Sequence, residues 1–165
     1  MKIGDIIKFG KYNWHVLDVQ DDKALIISED IIDNKAYHTI YSNITWQHSH
    51  MHEYLNDDFC NTFTPEEQEL IVKTSVINDD NPKYGTPGGS DTIDKIFLLS
   101  IDEYKKYRNA ISNISGWWWL RSPGDNSYRA AYVDHDGYIN DGFSDYYGGN
   151  VIVDYGVRPA LWIKL

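Results

Sequence analysis

The amino-acid sequence predicts an α+β fold in a single domain, residues 1–165, with small antiparallel sheets and two to three helices. Three observations support this prediction. Residues 6–28 alternate short β-rich runs with turn residues. The middle of the chain contains helix-start signals, and the last quarter begins and ends with apolar runs that contain Trp. Such runs are typical of core strands.

The amino-terminal part is predicted to form a hairpin meander. Residues 6–9, 13–19 and 23–28 are rich in β-branched and aromatic side chains. Turn-forming pairs at 10–11 and 21–22 separate them. Three apolar residues of this part are expected to pack inward, namely Trp14, Val16 and Leu17. The stretch that follows, residues 30–43, has no clear period and is predicted to be an irregular connection.

Two helices are predicted next. Residues 49–59 carry apolar side chains at helical spacing, at Met51, Tyr54, Leu55 and Phe59. The second helix has Thr64 as its N-cap, Pro65 as its first residue and Glu67 in the position that completes a capping box. We expect it to run to about residue 72 and to lead into a strand at 74–77.

The next part is predicted to contain a loop, a strand and a short helix. Residues 78–92 are turn-forming throughout, which predicts a surface loop. Residues 95–100 are predicted to be a buried strand, and residues 101–107 a short helix.

The last quarter combines apolar ends with a polar interior. It opens on GWWWLRSPG, residues 116–124, and closes on GVRPALW, residues 156–162. Between them, 21 of the 31 residues of segment 125–155 are Tyr, Asp, Gly, Asn or Ser. Tyr offers a rigid, half-polar contact surface, and Ser, Gly and Asn supply adaptable hydrogen bonds, as in antibody paratopes. This composition indicates a recognition surface.

Segment 125–155 also lacks Lys, Glu, Gln, Met and Trp, which make up 28 of the 165 residues. About five would be expected in a window of this length. An AAC or AAT codon randomised at its two adenines yields Tyr, Asp, Asn, Ser, His, Gly, Arg or Phe, among others, but none of the five missing types. The alternative is that Gly- and Asp-rich turns between short strands disfavour long charged side chains.

The pairing of WWLRSPG with GVRPAL resembles a bacterial and phage domain family that includes variable proteins of diversity-generating retroelements. The upstream segments TWQHSHMHEYLNDDF, FTPEEQELI and DTIDKIFLLSIDEY are similar to it too, so the resemblance covers nearly the whole chain. It implies a C-type-lectin-like fold in which adenine-directed mutagenesis diversifies a C-terminal ligand-binding segment. Many members carry a longer insertion where this chain has only residues 101–116.

We therefore predict a non-catalytic ligand-binding domain whose contacts come from segment 125–155. Its predicted contact residues are Ser127, Tyr128, Arg129, Asp134, His135, Asp136, Tyr138, Asn140, Asp141, Phe143, Ser144, Asp145, Tyr146, Tyr147, Asn150, Asp154 and Tyr155. Tyr138, Tyr146 and Tyr147 are expected to be the main anchors. Alternating inward positions are assigned to the scaffold, at Ala130, Ala131, Val133, Ile139, Val151 and Val153.

Composition limits the partners. The net charge of −10 disfavours nucleic acid and anionic membranes. The ligand is expected to be a protein or a glycan. Cys60 is the sole cysteine, which excludes an internal disulfide. The sequence shows no signal peptide and no run of transmembrane length, so we expect a soluble chain without membrane insertion.

No motif in the sequence specifies catalysis, a metal or a cofactor. His48 and His52 would share a helix face, but no third zinc ligand is placed beside them. The stretch from Asp134 to Asp145 fails the spacing of an EF-hand calcium loop. The C-type-lectin-like group includes formylglycine-generating enzymes, which need paired cysteines. Two alternatives stay open: a calcium-dependent carbohydrate-binding lectin, and an enzyme that uses the same face as a pocket.

Two further predictions concern the apolar ends. Arg121 and Arg158 are expected to bind loop carbonyls or a carboxylate, the alternative being a clamp for a ligand carboxylate. Trp117 and Trp119 should point to one side of a strand and Trp118 to the other. An uncovered Trp ring would offer a platform for stacking a sugar.

Overall fold

The computed structural model describes residues 1–142 and 149–165. These residues form a mixed α+β fold of small sheets and short helices. The strands are β1 Ile6–Phe9, β2 Tyr12–Val19, β3 Lys23–Ser28, β4 Asp33–Ala36, β5 Thr74–Val76, β6 Thr92–Asp94, β7 Trp118–Pro123, β8 Ala130–Val133, β9 Ile139–Asn140, β10 Asp154–Val157 and β11 Ala160–Lys164. The α-helices are α1 His50–Tyr54, α2 Pro65–Leu70 and α3 Ile101–Tyr107.

The first sheet has the order β1-β2-β3-β11. The first three strands pair antiparallel in chain order, which confirms the predicted meander. Strand β11, near the end of the chain, pairs antiparallel with β3. Trp14, Val16 and Leu17 are buried, as predicted.

The second sheet has the order β4-β10-β7-β8-β9 and carries segment 125–155. Strand β10 runs parallel to β7, and the other neighbours are antiparallel. The prediction of an irregular connection at 30–43 was wrong for β4. This strand has little apolar pattern of its own, and it forms because its backbone pairs with β10. A small third sheet pairs β5 with β6.

The helices begin where the sequence predicts. Thr64 and Glu67 form a reciprocal capping box at α2, and the same arrangement joins Ser100 and Glu103 at α3. Helix α1 continues as a π-helical turn, Leu55–Phe59, and then as a 3₁₀ turn, Cys60–Thr62. None of the helices in the described ranges has the length and apolarity needed to cross a bilayer.

Residues 95–100 were predicted to form a buried strand; the stretch is largely buried, but it does not form a strand. Ile96, Phe97, Leu98 and Leu99 are buried, but the stretch makes only an isolated bridge in which Phe97 pairs with Ala160. Several of its backbone N–H and C=O groups form hydrogen bonds with side chains rather than with a neighbouring strand. Asn56 Oδ1 accepts from the backbone N–H groups of residues 95 and 96, and Arg121 Nη1 donates to the Leu98 carbonyl.

The predicted surface loop at 78–92 is partly buried, because it packs on the turn that follows β7. Asn81 Nδ2 donates to the Pro123 carbonyl at 2.9 Å, and Thr86 Oγ1 donates to the Gly124 carbonyl at 2.7 Å. Both side chains are buried. The loop therefore supports the entry into segment 125–155.

Candidate ligand-binding face

The Trp residues before segment 125–155, at the start of β7 and just before it, point to opposite sides of the chain. The rings of Trp117 and Trp119 both contact Tyr132 and Tyr155, at centroid distances between 4.7 and 6.4 Å. Trp118 contacts Tyr104 on the other face. This confirms the predicted alternation, and it joins the two Trp rings to two Tyr rings of segment 125–155 in one aromatic cluster.

Arg158 joins the two sheets where the segment ends. Its side chain is fully buried, donates to the Ser28 and Glu29 carbonyls, and lies 4.8 Å from the centre of the Trp118 ring. Burial lowers the pKa of Arg158 to about 10. The guanidinium binds loop carbonyls, as predicted, and its burial excludes the alternative of a ligand clamp.

Arg121 fixes the other border. It is buried and donates to the Ile77 and Leu98 carbonyls, to Asn78 Oδ1, and to both carboxylate oxygens of Glu103. One side chain therefore connects β7 to the loop at 78–92 and to helix α3. This role also matches the structural prediction.

Twelve of the seventeen predicted contact residues lie in the described part of the chain. Ten of them reach the surface fully or in part: the exposed His135, Asp136, Tyr138 and Asp154, and the half-buried Ser127, Tyr128, Asp134, Asn140, Asp141 and Asn150. The other five lie outside the described residues: Phe143, Ser144, Asp145, Tyr146 and Tyr147.

Two predicted contact residues are buried and are removed from the contact set. The Tyr155 ring packs 4.7 Å from both Trp119 and Tyr132 and is 9% exposed. Arg129 is 8% exposed, and its Nε lies 3.9 Å from a carboxylate oxygen of Asp125. Their positions follow from strand pairing and aromatic packing, which composition alone does not reveal.

The assigned scaffold residues pack inward. Ala130, Ala131, Val133 and Val151 are buried, and Ile139 and Val153 are half-buried against the core. The predicted alternation is absent from β8, however, because all four of its residues are buried. Tyr132 fills one of these positions.

The first group of surface residues surrounds the β8–β9 turn. Asp134 Oδ1 accepts from the backbone N–H groups of residues 136 and 138, and Oδ2 accepts from Asn140 Nδ2, each at 3.0 Å. Desolvation acts to raise the pKa of Asp134, but these hydrogen bonds outweigh it and hold the pKa below its usual value. Gly137 adopts a φ of +85°, which an L side chain rarely allows, and Tyr104 Oη donates to its carbonyl. The turn is therefore stabilised both by the Asp134 carboxylate within it and by Tyr104 of helix α3.

Two aromatic side chains extend this first group. Tyr138 is 67% exposed. Trp117 is 39% exposed, and its Nε1 donates to His135 Nδ1 at 3.2 Å. Exposed Tyr and Trp side chains are among the residue types that most often anchor binding partners.

The second group lies at the opposite end of β8, around the turn that follows β7. The backbone N–H of Ile44 donates to the Ser127 carbonyl at 2.9 Å, and the Tyr41 ring lies 5.3 Å from the Tyr128 ring. Asn81 Nδ2 contacts Asp141 Oδ2 at 3.3 Å. The four residues of β8 separate the two groups by roughly 10 Å.

Tyr41 is an exposed neighbour of this group that the sequence prediction missed. It lies in the stretch Ile40-Tyr41-Ser42-Asn43, which has the same Tyr, Ser and Asn character as segment 125–155. That composition is the signal that could have identified it.

The histidines near α1 point to different partners. His50 Nδ1 contacts Thr39, whereas His52 Nε2 lies 2.7 Å from Asp94 Oδ1. Within residues 1–142 and 149–165 there is no group of three His, Cys, Asp or Glu side chains that could hold a metal ion.

Residues 21–165 match the model of a family described as Domain of unknown function (DUF6273). Comparison with curated proteins and with solved structures gave no match.

Proposed function

The chain belongs to the family described as Domain of unknown function (DUF6273), and we propose that it is a non-catalytic ligand-binding domain with a C-type-lectin-like fold. In this proposal, a rigid scaffold presents the surface side chains of segment 125–155 to a protein or glycan ligand. The segment is diversified, as in the variable proteins of diversity-generating retroelements that the chain resembles.

The observation that carries the proposal is the contrast in burial along one continuous stretch of chain. Ten of the twelve described contact positions reach the surface, whereas β7 and β8 are buried at every residue. Substitution at the four exposed positions leaves the packing beneath them intact, and such changes usually alter stability by less than about 0.5 kcal/mol. The exposed part of the surface can therefore vary while the fold persists.

The rigidity of the turns supports binding. The Asp134 carboxylate fixes the β8–β9 turn, and the Ile44 backbone fixes the turn near Ser127. A surface that is already ordered loses less conformational entropy when a ligand binds, so more of the contact energy appears as affinity.

A matched pair of Tyr substitutions tests the division between contact and scaffold residues. Tyr138→Ala removes a ring that is 67% exposed, and we expect the Tm to change by less than about 2 °C. Tyr155→Ala removes a buried ring that contacts Trp119 and Tyr132, and we expect a loss of about 3 kcal/mol, or roughly 10 °C in Tm. Thermal unfolding followed by circular dichroism measures both.

Simultaneous replacement of four exposed positions extends this test. The variant carries Ser at His135, Asp136, Tyr138 and Asp154 and should keep the Tm within about 3 °C of the parent. Arg158→Ala is the destabilising reference, because it removes the guanidinium that donates to the buried Ser28 carbonyl and to the part-buried Glu29 carbonyl. If the four-position variant unfolds while Tyr155→Ala is tolerated, the assignment of roles is wrong.

Carbohydrate binding is a second candidate, and the half-exposed ring of Trp117 favours it. A lectin would bind a soluble oligosaccharide with loss of binding in Trp117→Ala and, for the calcium-dependent class, in chelator. Glycan-array binding of the parent chain, with and without chelator, distinguishes this candidate from a protein-binding face.

A further inference from the structure

A cleft of about 360 Å³ lies beside Asp154, between the paired strands β4 and β10 and helix α1. This volume is within the range of sites that hold small ligands or single inserted side chains. The polar side chains on its walls include Lys35, Thr39, His50, Tyr54, Asp58 and Asp154.

The charges of the cleft favour a cation. Asp58 and Asp154 contribute two carboxylates, and Lys35 contributes one ammonium. Lys35 Nζ lies 4.5 Å from the centre of the Tyr54 ring, so one cation already occupies an aromatic face in this cleft. With two carboxylates and one ammonium, the cleft keeps one negative charge that a second cationic group can neutralise.

Part of the cleft wall is ordered by hydrogen bonding. The backbone N–H of Thr39 donates to His50 Nδ1 at 3.1 Å, which orients the His50 ring. The His50 ring packs 4.0 Å from His38, and burial together with this neighbour lowers the pKa of His38. A cleft with fixed walls binds an inserted group without a large ordering cost.

We infer that this cleft receives the guanidinium of an arginine side chain on a protein ligand. A planar guanidinium can donate to two carboxylates through its fork of N–H groups, which a spherical ammonium does less well. The inference rests on the proposed function, because Asp154 belongs to the segment that varies. Asp58 lies outside that segment and supplies the constant half of the site.

Two peptides that differ in one charge test the inference. Acetyl-Gly-Arg-Gly-amide is titrated into the chain and followed by NMR chemical shifts, in parallel with the same peptide carrying citrulline, a neutral isostere of arginine. We expect saturable binding of the arginine peptide, with shifts at residues of the cleft, and binding at least about tenfold weaker for the citrulline peptide.

Three variants localise the binding. Asp154→Asn and Asp58→Asn should each weaken binding of the arginine peptide by about tenfold or more. Asp57→Asn is the matched control, because Asp57 is exposed on the same helical turn but does not line the cleft, and its binding should stay within about twofold. All three positions are exposed, so thermal unfolding is expected to confirm an intact fold.

Equal binding of the two peptides, or equal loss in all three variants, would overturn the inference. So would binding of methyl glucoside in the cleft without binding of the arginine peptide. These outcomes leave the proposed function standing if the Tyr138 and Tyr155 variants behave as expected. Failure of that Tyr pair would remove the proposed function whatever the peptides do.

Discussion

At the scale of single residues, the buried carboxylate of Asp94 shows how polar groups shape this fold. It accepts hydrogen bonds from Trp46 Nε1 and Thr92 Oγ1 and lies 2.7 Å from His52 Nε2. Desolvation acts to raise the pKa of Asp94, but the hydrogen bonds outweigh it and hold the pKa below the usual 3.8. The ionised form is therefore the one that the folded state stabilises.

The sign of this shift predicts the pH dependence of the Asp94 contribution. Because the pKa is lower in the folded chain than in the unfolded chain, Asp94 stabilises the fold above about pH 4 and loses this effect as the pH falls through the folded-state pKa. Asp94→Asn should cost about 2 kcal/mol at pH 7, and the difference from the parent should shrink below pH 4. Urea unfolding at several pH values measures it, and a constant difference would contradict the prediction.

Single residues also show where the sequence was insufficient. Tyr138 and Tyr155 belong to the same Tyr-rich segment, and nothing in their immediate neighbours separates an exposed ring from a buried one. Tyr155 is buried because β10 is inserted between β4 and β7, which brings its ring onto Trp119 and Tyr132. Burial of this kind depends on contacts distant in the sequence, so it could not be predicted from composition.

At the scale of elements, the two capping boxes are chemically alike but differ in their connections. Glu67 at α2 bonds to Thr64 alone among the described residues. Glu103 at α3 bonds to Ser100 and also accepts both arms of Arg121, which is buried in β7. The second box therefore fastens a helix to the strand that precedes segment 125–155.

This difference predicts unequal costs for equivalent substitutions. Glu67→Ala should lower the free energy of unfolding by about 1 kcal/mol, the usual value of a cap. Glu103→Ala also leaves the buried Arg121 guanidinium without its carboxylate, so the loss should be about 3 kcal/mol. Denaturant unfolding followed by Trp fluorescence compares the two, and equal losses would show that the Arg121 pair adds nothing.

The elements that could be predicted are those with local signals. The capping box at Thr64 and the alternation of Trp117, Trp118 and Trp119 follow from neighbouring residues alone, and both are confirmed. Strand β4 has no such local signal. It forms by pairing with β10, more than a hundred residues later in the chain, so its neighbouring residues do not predict it. The same reason explains the mistaken strand at 95–100, whose backbone partners are largely side chains.

At the scale of the whole molecule, both of the larger sheets anchor segment 125–155. Its amino-terminal border is β7 in the second sheet, and the chain leaves through β10 into β11 of the first sheet. Arg158 lies at that crossing and bonds to the end of β3. Both ends of the segment are therefore fixed to the core, although they belong to different sheets.

Diversification predicts a specific distribution of differences among copies of the gene. Sequences from independent isolates should differ mainly within codons 125–155, and there mainly at positions that are adenine in a nearby near-copy of the 3′ coding end beside a reverse transcriptase gene. Differences spread evenly along the chain would contradict the proposal. Codons for the surface positions, such as those of His135 and Tyr138, should differ most often.

Gly137 and Gly149 have positive φ angles, +85° and +75°, so both positions need to remain glycine when the gene is mutated. Every glycine codon begins with two guanines, and the alanine and valine codons of residues 130, 131, 133 and 151 also lack adenine at their first two bases. If the near-copy carries the same codons, a mutator confined to its adenines would pass over these positions without any need for selection. The codon composition of the gene would then keep the two glycine turns and the buried Ala and Val residues constant while the exposed positions mutate.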